Sequence, residues 1–145
     1  MKVVISAAGT GGHINPGLAI ANKIKEENPN SEIVFVGTNR GLENDLVPRN
    51  GYELKIIEAY GFKKEISIQN FKNIIKTFSS KKDVENFFKE FKPDIVIGTG
   101  GYICVPVFAV AIKMKIPTVL HESNSFPGRA VNMYAKKVNK VLVRI

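Results

Sequence analysis

The sequence predicts an α/β fold, a parallel sheet with helices on both faces. Three observations predict it. Short, solid apolar runs such as Val3-Val4-Ile5, Ile33–Val36 and Ile95-Val96-Ile97 read as strands buried on both sides. Segments of helical periodicity lie between them, the alternation of strand and helix that builds right-handed parallel crossovers. Polar or glycine-rich residues then follow strands one, four and five, at the carboxyl ends where such sheets hold their ligands.

In chain order, the first strand is read at Lys2–Ala7 and the first helix from about Pro16 to Glu27, stopped by Asn28-Pro29-Asn30. The second strand is Glu32–Val36. A short helix follows from Gly41 to Asn50, with Leu42, Leu46 and Val47 on one face and Gly51 as its C-cap. Leu54–Ile57 forms a third strand, and Gly61–Lys64 a loop. Phe71, Ile74, Ile75 and Phe78 fall at i, i+3, i+4 and i+7, one face of a helix, and a further helical stretch runs from Asp83 to Phe91. Asp94–Ile97, Thr118–Leu120 and Val141–Val143 are strands four, five and six. Helices at Val105–Lys115 and Gly128–Lys137 stand between them. The chain shows no internal repeat, low-complexity tract or domain linker, so residues 1–145 are read as one domain.

Lys and Arg number 21 against 13 acids, a net charge of +8, and the surplus is uneven. Residues 1–58 hold 6 bases and 7 acids, residues 59–92 hold 8 and 4, and residues 113–145 hold 7 and 1. Such asymmetry suits an anionic partner, or simply a solvated outer surface. Cys104 is the single cysteine, so no internal disulfide or cysteine-rich metal site is expected. With no cleavable signal read at Met1-Lys2-Val3, a reducing, cytoplasmic setting is the expectation. Ile95–Ile112 is uncharged and approaches membrane-spanning length, but Gly98-Thr99-Gly100-Gly101 in its middle argues for a strand, a turn and a buried helix.

Around Gly9-Thr10-Gly11-Gly12-His13, a strand, a glycine turn and a helix start follow one another. Free N–H groups and the positive end of the helix dipole then face the turn, an arrangement suited to anions. It is not the dinucleotide fingerprint: Ile14 stands where G-x-G-x-x-G needs glycine, and Gly37-Thr38 closes strand two where a ribose-binding acid belongs. No Lys-Ser/Thr pair closes a Walker loop either. These residues argue against a nicotinamide oxidoreductase. His13, in the first helical turn, is either a neutral base or a histidine that holds the loop. The second turn, Gly98–Tyr102, either cradles phosphate or allows tight strand-to-helix packing. His121-Glu122-Ser123-Asn124 sets four polar residues after a buried strand, some of them to hold the loop. Cys104 lacks nucleophile spacing and reads as a buried, inert thiol, and Asp94, at the far edge, as structural.

At these residues the chain resembles the N-terminal half of the MurG family, transferases that add N-acetylglucosamine to lipid-linked muramyl-pentapeptide in bacterial cell-wall synthesis. The motifs are Gly9-Thr10-Gly11-Gly12-His13-x-x-Pro16-Gly17-Leu18-Ala19, Glu43-x-Asp45-Leu46-Val47-Pro48, Lys92-Pro93-Asp94-Ile95-Val96, Gly98-x-Gly100-Gly101-Tyr102 and Pro117-x-Val119-Leu120-His121-Glu122-x-Asn124. Ala8, Cys104 and Ser123 depart from the family's usual glycine, serine and glutamine.

The resemblance implies a Rossmann-like domain, one half of a two-domain GT-B fold, with a C-terminal donor domain beyond Ile145. It implies inverting transfer from UDP-N-acetylglucosamine to the C4 hydroxyl of undecaprenyl-diphosphate-linked muramyl-pentapeptide (lipid I), with His13 as base. Thr10, Gly11, Gly12 and Asn124 would contact the donor. Gly11, Gly12, Gly100, Gly101 and Tyr102 would contact the acceptor diphosphate. No cofactor, catalytic metal or nucleic acid is expected. A peripheral place on the cytoplasmic face of the membrane is, through a patch of Phe71, Lys72, Ile75, Lys76 and Phe78. The other reading is a non-catalytic, membrane-associated subunit that recruits a separate donor-binding half.

Overall fold

The computed structural model describes residues 1–58, 68–125 and 128–143, without the side chains at 69–71, 73–79 and 129–130. Its elements are β1 (Lys2–Ala7), α1 (Gly11–Glu27), β2 (Glu32–Gly37), α2 (Glu43–Arg49), β3 (Glu53–Ile56), α3 (Ile68–Phe91), β4 (Ile95–Gly100), α4 (Cys104–Lys113), β5 (Thr118–Glu122), α5 (Arg129–Tyr134) and β6 (Lys140–Val143). The strands form one parallel sheet in the order β3-β2-β1-β4-β5-β6. The chain builds outward from β1 to β3, returns beneath the sheet through α3, and builds outward again from β4. The switch point therefore lies between β1 and β4.

Two apolar layers hold the helices on. Val3, Ile5 and Ala7 of β1, Phe35 of β2 and Ile97 of β4 pack with Ile14, Leu18 and Ala21 of α1 and Val47 of α2. On the other face Val4, Val36, Val96 and Leu120 pack with Val84 and Phe88 of α3, Val107 and Phe108 of α4 and Tyr134 of α5. Phe35, Phe88 and Phe108 are fully buried, each contributing on the order of 1.5–3 kcal/mol of transfer free energy.

The expected elements are present, with instructive shifts. Helix α1 begins at Gly11, five residues before the expected Pro16, with extended Thr10 as its N-cap. The two helical stretches between strands three and four are one helix, α3. The apolar run 95–112 is β4, a turn and α4, and no described helix is long and apolar enough to cross a membrane. Strand β5 extends through His121 and Glu122, which therefore project from the sheet itself. Asp94 is structural, its carboxylate accepting the Lys2 N–H at 2.7 Å. Cys104 is buried, and that burial pushes its thiol above the ordinary value. The expected Gly61–Lys64 loop lies outside the described residues.

Candidate functional site

The two glycine turns leave adjacent strands, β1 and β4, and lock into each other. A register shift between Ser6 and Ala7 lets Gly98 pair with Ser6 and Gly100 with Ala7, so Thr99 is the extra residue. The Ala8 N–H donates to the Gly100 carbonyl at 3.3 Å, and Thr99 Oγ1 donates to the His13 carbonyl at 2.6 Å. Gly100 and Gly101 both have positive φ, 133° and 95°. A Cβ on Gly101 would stand 2.8 Å from the Ala8 oxygen.

That same oxygen orients the histidine. His13 Nδ1 lies 3.0 Å from it, and the neutral ring that donates there keeps its lone pair on Nε2. His13 is half-buried, in the first turn of α1.

The start of α1 has its own logic. Thr10 O accepts the N–H groups of His13 and Ile14 at 3.0 and 3.1 Å. The N–H groups of Gly11 and Gly12 have no partner among the described residues, as expected of a helix start. Pro16 has no N–H to give the Gly12 carbonyl four residues back. Ser123 Oγ, from the end of β5, donates to that carbonyl at 3.3 Å.

Across from His13, Glu122 organises the β5–α5 loop. Its Oε1 accepts the Asn124 N–H at 2.8 Å and Asn124 Nδ2 at 2.9 Å, and its Oε2 accepts the Gly128 N–H at 2.9 Å. Burial pushes the carboxyl pKa up, but these donors, with the nearby His13, bring it below the ordinary value. The Asn124 amide is thereby aimed, and its oxygen has no partner among the described residues.

These parts surround a cleft of about 190 Å³ lined by His13, Gly100, Gly101, Tyr102, Glu122, Asn124, Gly128 and Val131. Of the residues singled out in the sequence, His13, Gly100, Gly101, Tyr102 and Asn124 meet here. Thr10, Gly11 and Gly12 stand beside the cleft at the helix start and do not line it. Gly100 and Gly101 pack closely on His13 and Ala8, and both also line the cleft. Sequence reasoning gave no site role to Thr99, Gly128 or Val131, and the anchoring acid of the last polar tetrad, Glu122, shows itself only through its partners.

A hollow of about 640 Å³ between α3 and the β2–β3 edge contains none of these residues. Lys2 and Lys55 lie over the Phe91 and Phe87 rings there, and it does not open at the carboxyl ends of β1, β4 and β5. The candidate site residues line the small cleft instead. Among the described residues no three His, Cys, Asp or Glu stand together as a metal group. In the basic stripe, Ile68 and Lys72 are exposed; the side chains of Phe71, Ile75, Lys76 and Phe78 lie outside the described residues.

Comparison with known proteins places residues 3–143 in register with the glycosyltransferase family 28 N-terminal domain. The UDP-N-acetylglucosamine--N-acetylmuramyl-(pentapeptide) pyrophosphoryl-undecaprenol N-acetylglucosamine transferase of Clostridioides difficile is 50% identical over 142 residues, 98% of this chain and 35% of the relative. The transferase of the same name from Acetivibrio thermocellus is 49% identical over 99% of this chain and 39% of its own length. The crystal structure of Acinetobacter baumannii MurG superposes with a TM-score of 0.87 at 26% identity, over 99% of this chain and 41% of that one. A UDP-N-acetylglucosamine 2-epimerase shares the fold alone, at 15% identity and a TM-score of 0.69. The chain thus spans about two fifths or less of these relatives.

Proposed function

Because the chain belongs to the family of glycosyltransferase family 28 N-terminal domains, we propose that it forms the acceptor-side half of an inverting N-acetylglucosaminyltransferase. The donor is UDP-N-acetylglucosamine and the acceptor the C4 hydroxyl of lipid I, in peptidoglycan synthesis. Residues 1–145 make the Rossmann-like first domain of a GT-B pair, and a donor-binding half completes the active cleft.

The seating of His13 carries this reading. With Nδ1 spent on Ala8 and the ring held on the second glycine turn, Nε2 is the basic atom at the cleft. It takes the proton from the C4 hydroxyl as that oxygen bonds to C1 of N-acetylglucosamine and the bond from C1 to UDP breaks on the opposite face. The uncommitted N–H groups of Gly11 and Gly12 and the α1 dipole meet diphosphate charge. Thr10 and Asn124 contact the donor, and Gly100, Gly101 and Tyr102 line the acceptor diphosphate path.

The acceptor's polyprenyl tail requires a lipid surface. Peripheral binding to the anionic cytoplasmic face is assigned to the α3 stripe of Phe71, Lys72, Ile75, Lys76 and Phe78. The decisive assay measures transfer from UDP-N-acetylglucosamine to a lipid I analogue, with the chain alone and with a relative's donor half added. Turnover is expected only in the second case. Robust turnover by the chain alone, or none with a folded donor half bound, overturns the proposal.

A further inference from the structure

Glu43 is fully buried, yet no cation faces it among the described contacts. Its carboxylate is satisfied by neutral donors instead. Oε2 accepts the Gly9 N–H at 3.0 Å, while Oε1 accepts the Thr38 N–H at 2.9 Å and Thr38 Oγ1 at 2.7 Å. The Leu42 N–H donates to the Gly9 carbonyl at 3.1 Å, so both polar backbone atoms of Gly9 are held by the start of α2. Gly9 has a φ of 95°, a conformation that needs such an anchor to be the only one.

Two further glycines make room for this acid. A Cβ on Gly37 would stand 2.8 Å from Glu43 Cγ and 3.1 Å from the Ala7 carbonyl. One on Gly41 would overlap the carboxylate and stand 2.8 Å from Gly9 Cα. Three glycines from two loops therefore converge on one carboxylate. An isolated buried charge is expensive, so a well-packed position has no use for it unless its hydrogen bonds are needed.

We propose that Glu43 is a positioning residue, the clamp that fixes the Gly9 turn and thereby aims the Gly11 and Gly12 N–H groups and seats His13. Its bearing on catalysis rests on the function proposed above; the clamp itself does not. Glutamine is the informative replacement. Its oxygen can still accept from Thr38, but its NH₂ would then face the Gly9 N–H, donor against donor.

The test is amide hydrogen exchange by NMR on the 145-residue chain, with inorganic pyrophosphate as the anion probe. In the native sequence, the Gly9 amide is expected to be as protected as that of Thr38. In Glu43→Gln, Gly9 exchange should rise about tenfold or more, the equivalent of one lost charged hydrogen bond, and the His13 amide signal should shift or broaden. Val47→Ala, a cavity in buried α2 away from the turn, controls for general loosening and should leave Gly9 protected relative to Thr38. Unchanged Gly9 and His13 signals in folded Glu43→Gln overturn the proposal. If that variant does not fold, an unprotected Gly9 amide in the native sequence overturns it and a protected one supports it.

Pyrophosphate separates the two claims. Shifts at Gly11 and Gly12 that weaken in Glu43→Gln support both. A native chain that ignores pyrophosphate, with Gly9 freed in Glu43→Gln, leaves the clamp standing and removes the anion reading.

Discussion

Gly100 holds open the space into which the His13 ring folds. A Cβ built there would stand 2.8 Å from His13 Cγ and 2.9 Å from Nε2. Glycine is also required for its φ of 133°. Gly100→Ala is therefore expected to cost about 1–3 kcal/mol of stability and to turn His13 out of its seat. In the two-domain enzyme, transfer should fall by about a hundredfold, because the base proposed above, misplaced by an ångström, loses that much. Gly51→Ala is the control: its φ of 84° is also strained, but nothing lies within 4 Å of the added atom and the site is distant. Its melting temperature should fall while kcat holds. Equal kcat losses in the two variants would count against the packing of Gly100 on His13.

His13→Ala in the same enzyme should lower kcat by about a hundredfold or more, with a small change in the acceptor KM. A base acts in the transition state, so steady-state kinetics with varied lipid I analogue separates it from a binding residue. A near-normal kcat assigns His13 to holding the loop.

Glu43 and Glu122 are both held below the ordinary carboxyl value of 4.5. Burial acts against this in each case, and hydrogen-bond donors outweigh it, led by the Thr38 hydroxyl at Glu43 and the Gly128 N–H at Glu122. A carboxylate depressed in the folded state stabilises the fold at every pH above its unfolded value. That contribution is lost as pH falls below about 4.5 and through the folded value. Urea unfolding between pH 7 and pH 3 should show this loss, and Glu122→Gln should show a shallower one. Identical slopes in the two proteins would remove Glu122 from the account.

The α3 stripe predicts vesicle behaviour. Co-sedimentation should rise with anionic lipid and fall with salt, each lysine near the surface contributing about 1 kcal/mol. Lys72→Glu combined with Lys76→Glu should abolish most of it. A chain that ignores anionic vesicles at low salt uses this helix only to build the fold.

The strands were legible to within about three residues because each is an apolar run bounded by polar punctuation. The first helix was not legible at its start: Gly11, Gly12 and Pro16 are poor helix formers, and what keeps them helical is tertiary, namely Thr99 on the His13 carbonyl and Ser123 on that of Gly12. Ser79-Ser80-Lys81-Lys82 interrupts the apolar face of α3, which hid that it is one helix. His13, Gly100, Gly101 and Tyr102 could be named from glycine turns at strand ends, and Asn124 from the polar tetrad after strand five. Glu43 could only be quoted as part of a motif, because its role lies in a bond to Gly9 across 34 residues.

The placement of β4 beside β1 has a consequence for biosynthesis. The bonds that tie each strand to the helix following the other, Thr99 of β4 to His13 of α1 and Ser6 of β1 to Cys104 of α4, span 86 and 98 residues. Such closures are slow, because their entropy is lost before any contact repays it. A growing chain that has reached Ile57 already contains β1, α1, β2, α2 and β3, with the Gly9 turn and its Glu43 clamp. His13 is made, yet the floor it rests on has still to be synthesised. The site closes only when Gly100 and Gly101 arrive, so a chain interrupted before them would carry a complete first turn and a histidine with nowhere to sit.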